Sequence, residues 1–171
     1  MRPIVALACS LLAAAATAAP GGSGLPASPP SAVLDSLTGH WEGTGMLMGR
    51  QAAFAMTWTP TDVPGVHTLA FSNAFVAEDG TRTPALGAHA LYRAAADGTV
   101  SGVWFDTRGV RIELEGVADA DRLRIEWAAP SEAGVTVYVW AGEGRVEVVD
   151  SVRAEGGMRQ FGRAGYTRAS R

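Results

Sequence analysis

Hydrophobic residues recur at every second position through most of this chain, and this spacing restricts the fold more than any other feature. In residues 110–115 and 122–127, every second residue is apolar and the residues between them are charged. Such alternation is typical of β-strands with one buried and one solvated face. Glycine- or aspartate-containing turn signals separate the segments, as at residues 78–80 and 97–98. The sequence therefore predicts an antiparallel all-β fold.

About ten such segments follow one another, with no room for crossover helices between them. A sandwich would leave edge strands to protect, whereas closing the sheet removes its edges. We therefore expect an up-and-down antiparallel β-barrel of about ten strands. Residues 31–37 carry apolar residues at helical spacing and predict a short helix before the first strand. A ten-stranded barrel has more interior than its side chains need to fill, which allows a ligand cavity.

The first thirty residues differ in composition from the rest. Residues 1–18 combine one positive charge, an apolar run and small residues at 16 and 18, which predicts a secretory signal peptide too short to span a membrane. Residues 19–30 are proline, glycine, serine, alanine and leucine, and we expect a flexible linker there. Residues 31–171 then form a single barrel domain. We expect a periplasmic or secreted protein without a membrane span.

Charge and motif content exclude several function classes. All fourteen basic residues are arginine and are scattered among seventeen acidic residues, so the sequence predicts no nucleic-acid partner. The absence of lysine excludes Schiff-base chemistry on a lysine side chain. No Gly-x-Ser-x-Gly motif is present, and the glycines at 39, 43 and 45 lead into a strand instead of a phosphate-binding helix. Nothing in the sequence supports catalysis.

Aromatic side chains spread over several strands are the main candidates for a ligand site. We expect a cavity lined by Trp58, Phe71, Tyr92, Trp104 and Tyr138, because small-molecule pockets are mostly apolar with a few polar groups.

Asp106 and Asp150 interrupt apolar stretches, and Asp106 is the candidate polar anchor for a ligand. Each carboxylate either faces the cavity or pairs with an arginine such as Arg108 or Arg153. Of these alternatives, an Arg–Asp pair that braces the barrel is favoured.

Histidines are the natural candidates for metal or cofactor chemistry. His67 and His89 lie in adjacent predicted strands and are candidates for the cavity, whereas His40 points away from Trp41. Three inward histidines would form a metal site. However, His89 shares its strand face with Arg93, while His67 shares its face with apolar residues. No metal site is predicted.

The run Gly39-x-Trp41-x-Gly43-x-Gly45 resembles the opening motif of nitrobindin-like haem-binding barrels. The early Gly-x-Trp is also similar to that of calycin-type barrels, which include lipocalins and fatty-acid-binding proteins. Four further segments resemble a family of secreted bacterial lipocalin-like domains, namely residues 104–106, 138–140, 149–152 and 159–168. In such barrels an arginine of the closing strand covers the early tryptophan. The resemblance therefore implies that Arg163 or Arg168 covers Trp41 in a structural cation–π contact.

The resemblance to nitrobindins also implies haem bound through a histidine near the C-terminus. No histidine follows His89, so haem binding is not carried over and no cofactor is predicted. The favoured function is an exported, non-catalytic barrel that binds a small apolar or amphipathic molecule. Two alternatives remain open: a haem-binding nitrobindin-like protein, and a packed structural or partner-binding envelope protein.

Overall fold

The fold consists of one short helix and ten strands. A computed structural model of the chain describes residues 31–142 and 144–169. The elements are α1 (Ser31–Leu37), β1 (Gly39–Leu47), β2 (Arg50–Pro60), β3 (Val66–Val76), β4 (Arg82–Ala94), β5 (Thr99–Asp106), β6 (Arg111–Ala118), β7 (Arg122–Ala128), β8 (Ala133–Trp140), β9 (Arg145–Ala154) and β10 (Gly157–Arg168). The prediction of an all-β fold with a short N-terminal helix is confirmed. The expected signal peptide and linker lie outside the described residues and stay predictions.

Each strand pairs antiparallel with its neighbours, and β1 pairs with β10 to close the barrel. Closure satisfies the backbone groups that an open sheet would expose at its edges. The period of two then separates the two faces of each strand. In β2, for example, Phe54, Met56 and Trp58 are buried inside the barrel, and the residues between them are more exposed. The hydrophobic core therefore lies along the barrel axis.

The helix closes one end of the barrel. Its Val33, Leu34 and Leu37 are all buried. The Trp41 Nε1–H group donates a hydrogen bond of 2.6 Å to the carbonyl oxygen of Leu37, which joins β1 to the end of the helix. The hairpin turns between β2 and β3 and between β4 and β5 lie at this end. The turns β1–β2, β5–β6 and β7–β8 form the rim of the opposite end.

Arg168 completes this closed end. Its guanidinium carbon lies 4.4 Å from the centroid of the Trp41 ring. The same guanidinium donates a hydrogen bond of 2.6 Å to the carbonyl oxygen of Ser36 and another to that of Thr38. Arg163 points outward instead and pairs with Glu147 at 2.8 Å. Of the two arginines expected to cover Trp41, the structure therefore selects Arg168, and the prediction is wrong for Arg163.

The strand β4 begins earlier than its sequence pattern indicates. Alternation is weak before Leu86, yet the strand starts at Arg82 and includes Pro84. Pairing with β3 is irregular between Asn73 and Ala74, directly opposite this segment. A proline without an N–H group is tolerated where a bulge interrupts the hydrogen-bond ladder.

Among the described residues, no helix has the length and hydrophobicity required to cross a membrane.

Candidate functional site

The barrel encloses a cavity of about 350 Å³ between the closed end and the opposite rim. Inward positions of most strands contribute to its wall, because the alternation points every second side chain toward the axis. Aromatic and aliphatic side chains dominate this wall; they include Phe54, Phe71, Trp104, Ile112, Trp127 and Phe161. Met48, Arg108 and Glu132 line the cavity where it reaches the rim. The result is a concave apolar site that opens toward one end of the barrel.

Four of the eight predicted cavity residues line it: Phe71, Tyr92, Trp104 and Tyr138. Their role in ligand binding stays a prediction. Trp58 does not line the cavity. The buried Trp58 ring packs against tyrosines that line the cavity, with ring-centroid distances of 4.8 Å to Tyr92 and 6.0 Å to Tyr138. Trp58 therefore supports the tyrosines that face the cavity.

The prediction that His67 and His89 line the cavity is wrong, for two different reasons. His67 points inward but lies near the closed end, where its Nε2 atom is 3.1 Å from Asp35 Oδ1 of α1. The ring is not aligned for a hydrogen bond to Asp35, and neither ring nitrogen has a hydrogen-bond partner in the described part of the chain. Burial lowers the pKa of His67, and the Asp35 carboxylate acts in the opposite direction. His89 is exposed on the outer wall, because Ala88 and Ala90 take the inward positions of β4.

Asp106 forms a brace at the rim and does not face the cavity as an anchor. It accepts hydrogen bonds from Trp104 Nε1 at 3.1 Å and from Arg108 Nη2 at 2.7 Å. Arg108 Nη1 also donates to Glu132 at 3.1 Å, which ties the β5–β6 turn to the β7–β8 turn. Burial raises the pKa of Asp106, but the hydrogen bonds from Arg108 and Trp104 outweigh it and leave the pKa below its usual value. The favoured interpretation of Asp106, an arginine-paired structural carboxylate, agrees with this geometry.

Asp150 is the carboxylate that faces the cavity, and it was not among the predicted site residues. Its Oδ1 atom accepts a hydrogen bond of 2.7 Å from Thr136 Oγ1. Burial raises the pKa of Asp150, and the Thr136 hydrogen bond only partly opposes this. On the neighbouring strand, a Cβ atom placed at Gly162 would lie 3.0 Å from Asp150 Oδ2, so glycine leaves room for the carboxyl group. Arg153, the expected partner, is exposed on the outer face of β9.

Three tyrosines share the cavity with this carboxyl group: Tyr92, Tyr138 and Tyr166. Burial raises the pKa of each hydroxyl, and the negative charge of Asp150 adds to all three increases. The hydroxyls therefore stay protonated at physiological pH. Tyr138 pairs with Val148 and Tyr166 with Val146, so both lie nearer the closed end than Asp150 does. We call Asp150, Thr136 and these three tyrosines the interior polar cluster.

Replacing Asp150 by asparagine is expected to stabilise the protein by about 1 kcal/mol at pH 8, because it removes a desolvated charge. The folded pKa of Asp150 lies above the unfolded value, so the native state binds the proton more tightly. The contribution of the carboxyl group to stability is therefore fully present below the unfolded pKa and is lost as pH rises through the folded pKa. Urea unfolding of both proteins at pH 4 and pH 8 checks this. A difference in stability between the two proteins that is the same at pH 4 and pH 8 would contradict it.

Comparison with solved structures supports the fold. The chain is similar to the crystal structure of Rv2717c from M. tuberculosis, with a TM-score of 0.65 and 18% sequence identity over 84% of this chain and 99% of that chain. A second structure, EF1p2_mFAP2b bound to DFHBI, has a TM-score of 0.44 and 12% identity over 81% of this chain and 98% of that one, a similarity too remote for any inference. No protein-family model and no curated protein sequence matches the chain. The similarity to Rv2717c establishes a shared closed-barrel fold and no more.

Proposed function

We propose that this barrel binds a small apolar or amphipathic molecule in its interior cavity, without a catalytic step. The observation that carries the proposal is the cavity of about 350 Å³, whose wall is mostly aromatic and aliphatic. Its polar residues are the interior polar cluster, Asn73, and Arg108 and Glu132 at the rim. Ligand sites commonly combine apolar walls with a few polar groups that fix the orientation of the ligand. The cavity extends to the rim, where Arg108 and Glu132 line it. We propose that the ligand enters the barrel at this rim.

We also propose that the protein is exported, on the basis of the sequence of residues 1–18. Native mass spectrometry of protein recovered from the periplasm of an expression host addresses both proposals. A mass that lacks the first 18 residues supports export, and a reproducible excess mass supports a bound ligand. Retention of residues 1–18 in cytoplasmic protein would contradict export alone.

The alternative functions have less support in the structure. Haem needs an axial ligand, and none of the three histidines lines the cavity: His67 lies near the closed end, while His40 and His89 are on the outer wall. Within residues 31–142 and 144–169, no three His, Cys, Asp or Glu side chains are grouped as a metal site requires. The residues present therefore do not fit haem held by a histidine. A fully packed structural barrel is disfavoured by the cavity itself.

Filling the cavity is expected to weaken binding of an apolar probe by about tenfold or more, since the added ring occupies the ligand volume. Val148 lines the cavity on β9, and Val148→Phe adds a ring there. The measurement is the fluorescence of N-phenyl-1-naphthylamine, a neutral dye, titrated into each protein. Val139→Phe on β8 is the matched control, because Val139 faces solvent. Equal affinity in both variants would show that the dye binds elsewhere.

A further inference from the structure

The interior polar cluster contains a carboxyl group that has no cationic partner among residues 31–142 and 144–169, which points to the chemistry of the ligand. We propose that the molecule bound in the cavity carries a protonated amine that pairs with Asp150 between aromatic rings. This inference rests on the proposed function, because it assigns a ligand class to the same cavity.

The charges around the cavity leave Asp150 without compensation by a described cation. Asp150 is enclosed by protein on every side except the cavity, and Thr136 supplies its one side-chain hydrogen bond among the described residues. Arg108 is the only arginine that lines the cavity in the described part of the chain, and it is already paired with Asp106 and Glu132. A buried carboxylate is costly unless a cation or several hydrogen-bond donors compensate it. A cation that entered the cavity would supply the positive charge that the described residues do not place beside Asp150.

The cavity wall around Asp150 is rich in aromatic side chains. Tyr92, Tyr138 and Tyr166 are close enough to Asp150 for its charge to raise the pKa of each. Farther around the wall, the rings of Phe71 and Trp104 pack with centroids 5.5 Å apart, and Trp127 and Phe161 form an edge-on pair at 6.3 Å. Aromatic faces attract cations, most strongly where water is excluded. A carboxylate beside aromatic rings is therefore complementary to an ammonium group on an apolar body.

The cavity should distinguish among ligands by the charge of their polar group. A neutral alcohol would hydrogen-bond to Asp150 or to the tyrosines, but it gains no ion pair. A ligand carboxylate would meet the negative charge of Asp150 and, at the rim, that of Glu132. Hydrogen bonds between charged groups contribute more than neutral ones, which favours the amine over an alcohol of the same shape by about tenfold or more.

Amine binding should also depend on pH in one direction. The groups that face Asp150 are Tyr92 from β4, Thr136 and Tyr138 from β8, and Tyr166 from β10, and none of them is charged near neutral pH. Asp150 is the group that must lose its proton before it pairs with an ammonium. The affinity for the amine therefore rises as pH increases through the folded pKa of Asp150, and falls again only when the amine itself loses its proton, near pH 10. The affinity for an alcohol should change much less over the same range, because an alcohol forms no ion pair with Asp150.

Isothermal titration calorimetry with three probes of similar shape tests the inference: 2-phenylethylamine, 2-phenylethanol and 3-phenylpropanoate. In the unmodified protein we expect the amine to bind about tenfold or more tightly than the alcohol, and the carboxylate to bind most weakly at pH 8. Asp150→Asn should abolish the preference for the amine over the alcohol, because a neutral amide cannot form an ion pair with the ammonium group. Glu115→Gln is the control, because Glu115 is an exposed carboxylate on the outer face of β6.

The outcomes separate the two proposals. Equal affinity for amine and alcohol would overturn the amine inference and leave binding in the cavity intact. A preference for the amine that persists in Asp150→Asn, or that Glu115→Gln also removes, would show that the charge responsible lies elsewhere and would likewise overturn it. If none of the three probes binds and the naphthylamine dye does not distinguish Val148→Phe from Val139→Phe, both proposals fail.

Discussion

Replacing Trp41 by alanine is expected to lower the free energy of unfolding by about 3–5 kcal/mol, the range found for large aromatic residues deleted from a core. Only 1% of Trp41 is exposed, and its ring lies between the helix α1 and the guanidinium of Arg168. Its Nε1–H group also satisfies the carbonyl oxygen of Leu37 at the end of the helix. The substitution therefore removes packing, a hydrogen bond and the cation–π contact together. Urea unfolding followed by circular dichroism measures the loss.

Two further substitutions distinguish this role from a general effect of losing an aromatic side chain. Trp140→Ala should cost clearly less, because Trp140 is only partly buried at the edge of the core. Arg168→Ala should cost about 0.5–2 kcal/mol, since it removes the cation from the Trp41 ring and its hydrogen bonds to Ser36 and Thr38. If Trp41→Ala and Trp140→Ala have the same effect, Trp41 does not hold the closed end of the barrel.

Replacing Gly45 by valine is expected to destabilise the barrel by about 3 kcal/mol, the upper part of the range for overpacking a core. A Cβ atom at this position would overlap the carbonyl oxygen of Arg163 and lie 2.7 Å from the Cα atom of Ala164. These are backbone atoms of β10, so the strain cannot be relieved by a side-chain rotation. The strands β1 and β10 would have to separate at the pairing that closes the barrel. The difference in thermal and urea unfolding relative to the unmodified protein checks the prediction.

Gly165→Ala is the matched control for this substitution. Gly165 lies on the same pair of strands, opposite Thr44, and a Cβ atom there would have no neighbour within 4 Å. We expect a change within about 0.5 kcal/mol, as is usual for surface positions. A large loss at Gly165 together with a small loss at Gly45 would contradict the steric explanation. Gly43 in the opening motif is also crowded, but there a Cβ atom would lie 2.7 Å from the side-chain ring of Tyr166 and not from backbone atoms.

The side of the sheet on which a residue lies was predictable wherever the alternation is strict. Phe71 and Tyr92 line the cavity because each occupies an inward position of its strand. The strands of Trp104 and Tyr138 are apolar on both faces, and their sequences did not indicate which face points inward. The same alternation places His89 on the outer wall, beside Arg93 on the same face of β4. The inclusion of His89 among the cavity residues followed from the chemistry of histidine and not from the strand pattern. For the orientation of His89, the alternation of β4 therefore predicts the outcome better than the chemistry of the histidine side chain does.

Depth along the barrel axis was not predictable in this way. His67, Leu69 and Phe71 all point inward from β3, yet only Phe71 lines the cavity. A period of two states which face a residue occupies and carries no information on which end of the barrel is closed. The helix α1 decides this, because its apolar residues fill the end near His67. Trp58 is excluded from the cavity for the same reason.

By itself, the sequence determined the closed all-β fold, the helix at 31–37, and the two faces of the strictly alternating strands. It also favoured an arginine partner for Asp106, which the structure identifies as Arg108, two residues later. These features depend on periodicity and on neighbours in the chain. Only the tertiary structure decided that Arg168 and not Arg163 covers Trp41. It also decided that Asp150 faces the cavity and pairs with none of the arginines in the described residues. Both depend on which strands meet across the barrel, and the free energy of a buried charge is set by all the groups around it.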